Sequence, residues 1–242
     1  MSPSRPGLIQ KLLGGNASAD RPYRFLLEHL DPSTPGVPFE EDVFESVFSK
    51  TSIDLSLYRE MLRQRNGFFC YHRSLHFFGA CRAPRYHSLL QWNDPEGWRK
   101  EYRSLAENLI FFAEDVFGYQ FALRDKKIVR FDFESGVCKP MARSFRKWFQ
   151  LLEKRIDEHS GWPVAVHWEE IQGQSIPFES HLSVYPPFIA GGEYDAEHLK
   201  PIDRFQHMGF SGHLAWQIKD LPDGTQIEIS FEDENPTDSK TE

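Results

Sequence analysis

The sequence predicts an α+β fold, and three observations carry the prediction. Val129, Phe131 and Phe133 alternate with Arg130 and Asp132, the period of a half-buried strand. The runs before it are joined by short turns, as in an antiparallel meander. Two segments instead carry helical stripes: Ile53, Leu57 and Met61, then Phe145, Trp148, Phe149, Leu152 and Ile156. Apolar residues make up 40% of the 242-residue chain and include 21 Phe, enough to bury a sizeable core.

Residues 1–38 are rich in Pro, Gly and Ser and read as an arm, with a short helix at Tyr23 to Leu30 and a linker at Asp31 to Pro38. Ser52 is the expected N-cap of the first striped helix, and Asn66-Gly67 its stop. "FFCYHRSLHFFGA" reads as extended structure ending at Gly79. "DPEGWRKEYRSLAENL" reads as a helix with Trp98, Tyr102 and Leu105 on one stripe. Strands follow at Leu109 to Ala113, Gln120 to Leu123 and Ile128 to Phe133. Glu134-Ser135-Gly136 closes the meander, and Ser144 caps a helix that must bury its stripe, most simply on that meander. After Gly161, frequent Pro and Gly predict a loop-rich extension over 161–231 with a few strands or short helices. It ends in a short helix, a Pro-Asp-Gly turn and a strand at Gln226 to Phe231, and the acidic tail 232–242 reads as disordered.

The net charge is −8. Residues 219–242 hold eight of the 36 acids and two of the 28 bases, so that segment carries −6 and the rest only −2. A nearly neutral body lacks the basic excess needed to hold a phosphate backbone, so direct nucleic-acid binding is not expected. No apolar run reaches the roughly 20 residues of a membrane span, and no secretory leader is evident at the N-terminus. Three cysteines, Cys70, Cys81 and Cys138, fit a reducing cytoplasm.

Several motifs invite a chemical reading. In "FFAEDVFGYQFAL", Glu114 and Asp115 could divide acid and base roles if their surroundings split their pKa values. Adjacent strand residues point to opposite faces, however. The pair equally reads as the polar tip of a turn, with Gly118 supplying positive φ, or as a partner-contact loop. Cys70, His72, His76 and Cys81 are zinc-ligand types within twelve residues, but only the His spacing matches a zinc site. No metal or other cofactor is expected. Nucleophile-elbow and phosphate-loop motifs are absent. Trp92 lies in a polar, turn-rich context and reads either as an exposed interface anchor or as a residue packed on the sheet edge. "PPFIAGGEYD", with Phe188, Glu193 and Tyr194, is a second candidate contact loop or a simple turn.

The ordered series "IDLSLYREMLRQRNGFF", "LHFFG", "LIFFAEDVFGYQFAL", "IVRFDFESG" and "SFRKWFQLL" resembles the SUKH superfamily over about residues 51 to 153. "PPFIAGGEY" and "DLPDGTQIEI" resemble an extension found on some bacterial members. The resemblance implies a mixed, mostly antiparallel sheet flanked by helices in a domain over 39–160, with no common catalytic set. It implies a non-catalytic binding module, an immunity protein that neutralises a cognate toxin domain of nuclease or deaminase type. Its contact face would draw on Trp92, Asp94, Glu96, Glu114, Asp115, Phe188, Glu193 and Tyr194. Two alternatives stay open: an enzyme using His167, Glu169 or His207 in a deep pocket, and a regulatory scaffold using the acidic tail.

Overall fold

The structure, a computed structural model, describes residues 21–222 apart from 185 and 194, together with residues 224–226. The first part of the expected arm, the strand past Gln226, the acidic tail and Tyr194 lie outside the described residues.

Six strands form one sheet in sequence order: β1 (Phe68–Cys70), β2 (Leu75–Phe77), β3 (Ile110–Asp115), β4 (Gln120–Arg124), β5 (Lys127–Phe131) and β6 (Cys138–Ala142). Every strand pairing is antiparallel, so the α+β class stands and the sheet is a meander rather than mixed. Short turns join all neighbours except β2 and β3, whose link carries α4 (Leu89–Trp92) and α5 (Arg99–Tyr102). The run expected to be continuous after Gly67 is instead the β1–β2 hairpin, broken where Tyr71, His72 and Arg73 take φ of 53, 56 and 58°. Strand β6 had no sequence signal, because Pro140 interrupts it; an edge strand tolerates a proline that an inner strand does not.

The sheet has two differently covered faces. On one, Phe77, Phe112 and Phe121 meet Trp148 of α6 (Phe145–Lys154) with ring centroids 5.9, 5.0 and 5.2 Å apart. Ser144 caps α6 as its sequence predicts, accepting from the Lys147 N–H at 3.4 Å. The helix stops at Arg155, and Ile156 begins the separate α7 (Ile156–Ser160). Helix α3 (Ser56–Gln64) starts later than Ser52 implied, because Asp54 Oδ1 takes the Ser56 N–H at 3.0 Å and fixes the entry turn there. On the other face, Phe78, Phe111 and Phe131 receive Trp92, Trp98 and Tyr102 at 4.7, 5.0 and 5.1 Å.

The C-terminal part completes this second face. It comprises α8 (Trp162–Gln172), a hairpin of β7 (Ser180–Ser183) and β8 (Lys200–Asp203), and α9 (Arg204–Ile218). The expected loop-rich extension therefore holds two substantial helices. Pro163 sits in the first turn of α8, where a missing N–H does no harm. Nor do the expected boundaries mark breaks in packing: one buried cluster runs from Tyr23, beside α1 (Arg24–Glu28), to Ala215 of α9. The segment read as a linker is tied down, since Pro38 O accepts from Asn66 Nδ2 at 2.6 Å and Asp31 pairs with Arg73. It leads into α2 (Glu41–Phe48), which buries Val43, Phe44 and Phe48.

Gly212 lets α9 approach α5, since a Cβ there would stand 2.6 Å from the Tyr102 ring. Gly209 faces open space, with nothing within 4 Å of a Cβ. Gly212→Ala is expected to destabilise the fold by about 1–3 kcal/mol through overpacking. Gly209→Ala should stabilise it by about 0.5–1 kcal/mol through helix propensity. Urea unfolding of the two variants checks the opposite signs.

Candidate functional site

The densest titratable chemistry of the described residues lies on the second sheet face. The strand register places His76 of β2 opposite Glu114 of β3, and Glu114 opposite Gln120 of β4. The three polar side chains thus form one row across an otherwise aromatic surface. His181 of β7, with Arg204 and His207 of α9, closes over that row, and all six residues are buried.

Every link has a defined direction. His76 Nδ1 lies 2.9 Å from Glu114 Oε1, and His181 Nε2 lies 3.0 Å from Oε2. A carboxylate only accepts, so both ring nitrogens carry hydrogens. The far nitrogens of these neutral rings then accept. His87 Nδ1 donates to His76 Nε2 at 2.8 Å, and His207 Nδ1 donates to His181 Nδ1 at 3.1 Å. Gln120 Nε2 donates to Glu114 Oε2 at 2.9 Å and to Gly118 O at 3.0 Å, while Gln120 Oε1 accepts from Trp92 Nε1 at 2.9 Å. Arg204 pairs with Glu114 Oε1 and donates from Nε to Phe178 O at 2.9 Å. Gly118, at φ 104°, makes the expected left-handed turn and also leaves room for the histidines, as a Cβ would lie 3.2 Å from His181 Nδ1.

Burial alone would push the Glu114 carboxyl up, but Arg204 and the His181 and His76 hydrogen bonds outweigh it and hold the group well below the usual carboxylate range. Burial pulls the Arg204 guanidinium down against the pull of Glu114, and an arginine stays charged in either case. The centre is therefore an ion pair ringed by neutral imidazoles. Burial lowers His76 to about 4 despite Glu114, and lowers His87 to about 2. His181 and His207 are shifted down for the same reason.

The residues singled out from the sequence divide sharply. Glu114 and Asp115 are buried, so neither can belong to an acidic contact face. Asp115 holds the β3–β4 turn, with Oδ1 accepting from the Phe117 and Tyr119 N–H groups at 3.0 Å and Oδ2 facing Arg130 at 3.1 Å. Trp92 is fully buried, because its indole N–H is committed to Gln120, and is no exposed anchor. Asp94, Glu96 and Glu193 are exposed, and Phe188 is half-buried. The proposed enzyme set does not converge: His167 is exposed near Glu170, Glu169 faces His72 at 2.7 Å, and His207 is in the buried cluster. Cys70 and His76 are buried while His72 is exposed across the hairpin turn, and among the described residues no three His, Cys, Asp or Glu side chains are arranged so that they could hold a metal ion.

Solvent reaches a separate groove of about 760 Å³ between the end of α2, α4 and the first residues of β3. Leu90, Gln91, Asp94, Lys50 and Asp125 line it. Arg99 frames its wall by donating to Asn93 O at 2.9 Å and to Ala106 O at 2.7 Å. Leu90 is 40% exposed, an apolar side chain among mixed charges.

No family model matches the chain, and no curated protein matches it. Among solved structures, the crystal structure of Atu4351 from Agrobacterium tumefaciens is similar to this chain, with a TM-score of 0.54 and 14% identity over 79% of this chain and 88% of that one. The likeness is one of fold, and it supports the α+β architecture.

Two outcomes follow from the cluster. A histidine with a depressed folded pKa binds its proton first in the unfolded chain, so stability falls as pH drops below 6.5 and goes on falling to about 4 for His76. Burial raises Asp115 to about 6 and Glu134 to about 7, and both oppose that fall. The depressed histidines outnumber the raised carboxyls, so stability falls on balance as pH drops from roughly 6 to 4.5. Urea midpoints measured across this range are expected to drop. Glu114→Gln should cost about 3–5 kcal/mol by stranding Arg204, and Glu114→Gln with Arg204→Met should recover part of it.

Proposed function

We propose that the protein is a SUKH-like, non-catalytic binding module that neutralises a cognate bacterial toxin domain by occluding it. One contrast carries the reading. The buried histidines and the Glu114 carboxylate are engaged with one another and shut away from solvent, whereas the groove beside α4 is open, with mixed charge and the apolar Leu90 in its lining. Stoichiometric occlusion needs a shaped surface of about 800 Å² per partner and no reacting group. The groove and the neighbouring exposed turn at Asp94 and Glu96 supply apolar contact and rim charge. Charge reversal at that rim would act mainly on the association rate, and loss of the Leu90 side chain on dissociation.

The test begins with capture from the native host at low and high salt, followed by reconstitution of the recovered toxin-like domain with purified protein. The reading expects a one-to-one complex that abolishes the toxin's activity. Leu90→Arg should weaken it by about 30-fold or more. Asp94→Arg with Glu96→Arg should slow association and reduce the salt dependence. A toxin domain that stays fully active in the presence of excess protein removes the proposal.

A further inference from the structure

A second concavity, of about 280 Å³, shares no lining residue with the groove. Aromatic side chains from three separate parts of the chain line it: His29 just after α1, Tyr71 and His72 at the β1–β2 turn, and Trp162 at the start of α8. His29 stacks on Tyr71 with centroids 4.4 Å apart, and Trp162 meets Tyr71 edge-on at 5.0 Å and His29 at 6.5 Å. Two carboxylates, Asp31 and Glu169, also line the space, and no lysine or arginine does. Aromatic rings and carboxylates both favour a cation.

The hydrogen bonds narrow the class of cation. Asp31 Oδ1 already accepts from the Ser33 N–H at 2.8 Å and the Ser33 hydroxyl at 2.6 Å, and Oδ2 pairs with Arg73. Glu169 Oε1 accepts from the Ile176 N–H at 3.2 Å, and Oε2 lies 2.7 Å from His72 Nδ1. A primary ammonium must replace several bonds to water and meets acceptors that are already engaged. An alkylated ammonium has no such bonds to replace and needs only ring contact and net charge. Arg73 pairs with Asp31, which leaves Glu169, 2.7 Å from His72 Nδ1, as the cavity's carboxylate without an arginine or lysine partner among the described residues.

The turn that brings Tyr71 and His72 to this cavity is strained. Three successive non-glycine residues, Tyr71, His72 and Arg73, occupy the left-handed region, each at about 1–2 kcal/mol. Arg73 fastens the turn to Asp31, to Ser33 Oγ at 2.7 Å and to Ile176 O. Strain of this kind, held by surrounding contacts, gathers at ligand clamps.

We propose that this cavity binds an alkylated ammonium group, the head of a choline-class small molecule or a methylated lysine side chain. The volume is at the lower edge of the ~300–1,000 Å³ typical of ligand pockets, which suits a head group rather than a whole drug-sized ligand.

The experiment follows the Trp162 indole N–H resonance of the full chain during titration. The probes are choline, its neutral isostere with carbon in place of nitrogen, and one short peptide carrying lysine or trimethyllysine. The expected result is saturable binding of choline or the trimethyllysine peptide, with a dissociation constant on the order of millimolar, and binding of the isostere about tenfold weaker. Glu169→Gln should weaken the cation about fivefold, and Trp162→Leu, followed by the Tyr71 ring signals, should weaken it at least as much. Tighter binding of choline identifies a free small molecule as the source, and tighter binding of the trimethyllysine peptide identifies a protein side chain. The proposal is overturned if neither cation gives a saturable shift, if the isostere binds as tightly as choline, or if unmodified lysine matches trimethyllysine. None of these readouts depends on a toxin partner.

Discussion

The Glu114 carboxylate lies under the C-terminal layer with no access to water, and an isolated charge in that position would cost many kcal/mol. It is tolerated because donors reach it from four directions: His76 on β2, Gln120 on β4, His181 on β7 and Arg204 on α9. These donors lie 38, 6, 67 and 90 residues from it in the chain. The meander cannot bury Glu114 without the C-terminal layer, and that layer has no anchor for Arg204 without the meander. One charge therefore makes a single folding unit of segments that composition would divide.

The same network fixes register. Side chains alternate across a strand, so a one-residue slip of β3 would turn Glu114 to the face occupied by Trp148, Phe77 and Phe121. The charge would then lie among aromatic rings and lose Arg204 and its three other donors. Buried ion pairs often add little net stability over apolar replacements, but they penalise wrong arrangements heavily. Four histidines with assigned tautomers sharpen that penalty, because each ring accepts or donates in only one sense along its chain.

Much of the fold is legible in the sequence because it rests on local periodicity. The Phe145 to Leu152 stripe with its Ser144 cap, the Asn66-Gly67 stop and the β3 to β5 meander follow from patterns within a few residues. The site is not legible in that way. Glu114 and Asp115 read as a turn because polar residues at a strand end usually face water, and the residues that close over Glu114, His181 and Arg204, lie 67 and 90 positions further along the chain. A signal does exist in the strands: "LHF", "FFAE" and "QFAL" each place one polar residue beside buried apolar neighbours, and the meander register aligns the three. Trp92 is ambiguous in sequence for a related reason, since its polar neighbours say nothing of Gln120 across the sheet.

The buried cluster also bears on the surface. In α4, Leu89 and Trp92 point inward while Leu90 and Gln91 line the open groove. Trp92 is bonded to Gln120, and Gln120 to Glu114, so a chain of hydrogen bonds runs from the central charge to the helix that presents Leu90. The adjoining Asn93 adds to the hold, donating to Phe111 O at 2.8 Å and accepting from the Phe111 N–H at 2.8 Å. A binding surface gains affinity when its elements are already fixed in the bound geometry, because less order is lost on association. A short helix of four residues would not keep its shape alone. Here the buried tryptophan and the central carboxylate supply the rigidity, and the polar core fixes the shape of the surface that α4 presents without itself reaching solvent.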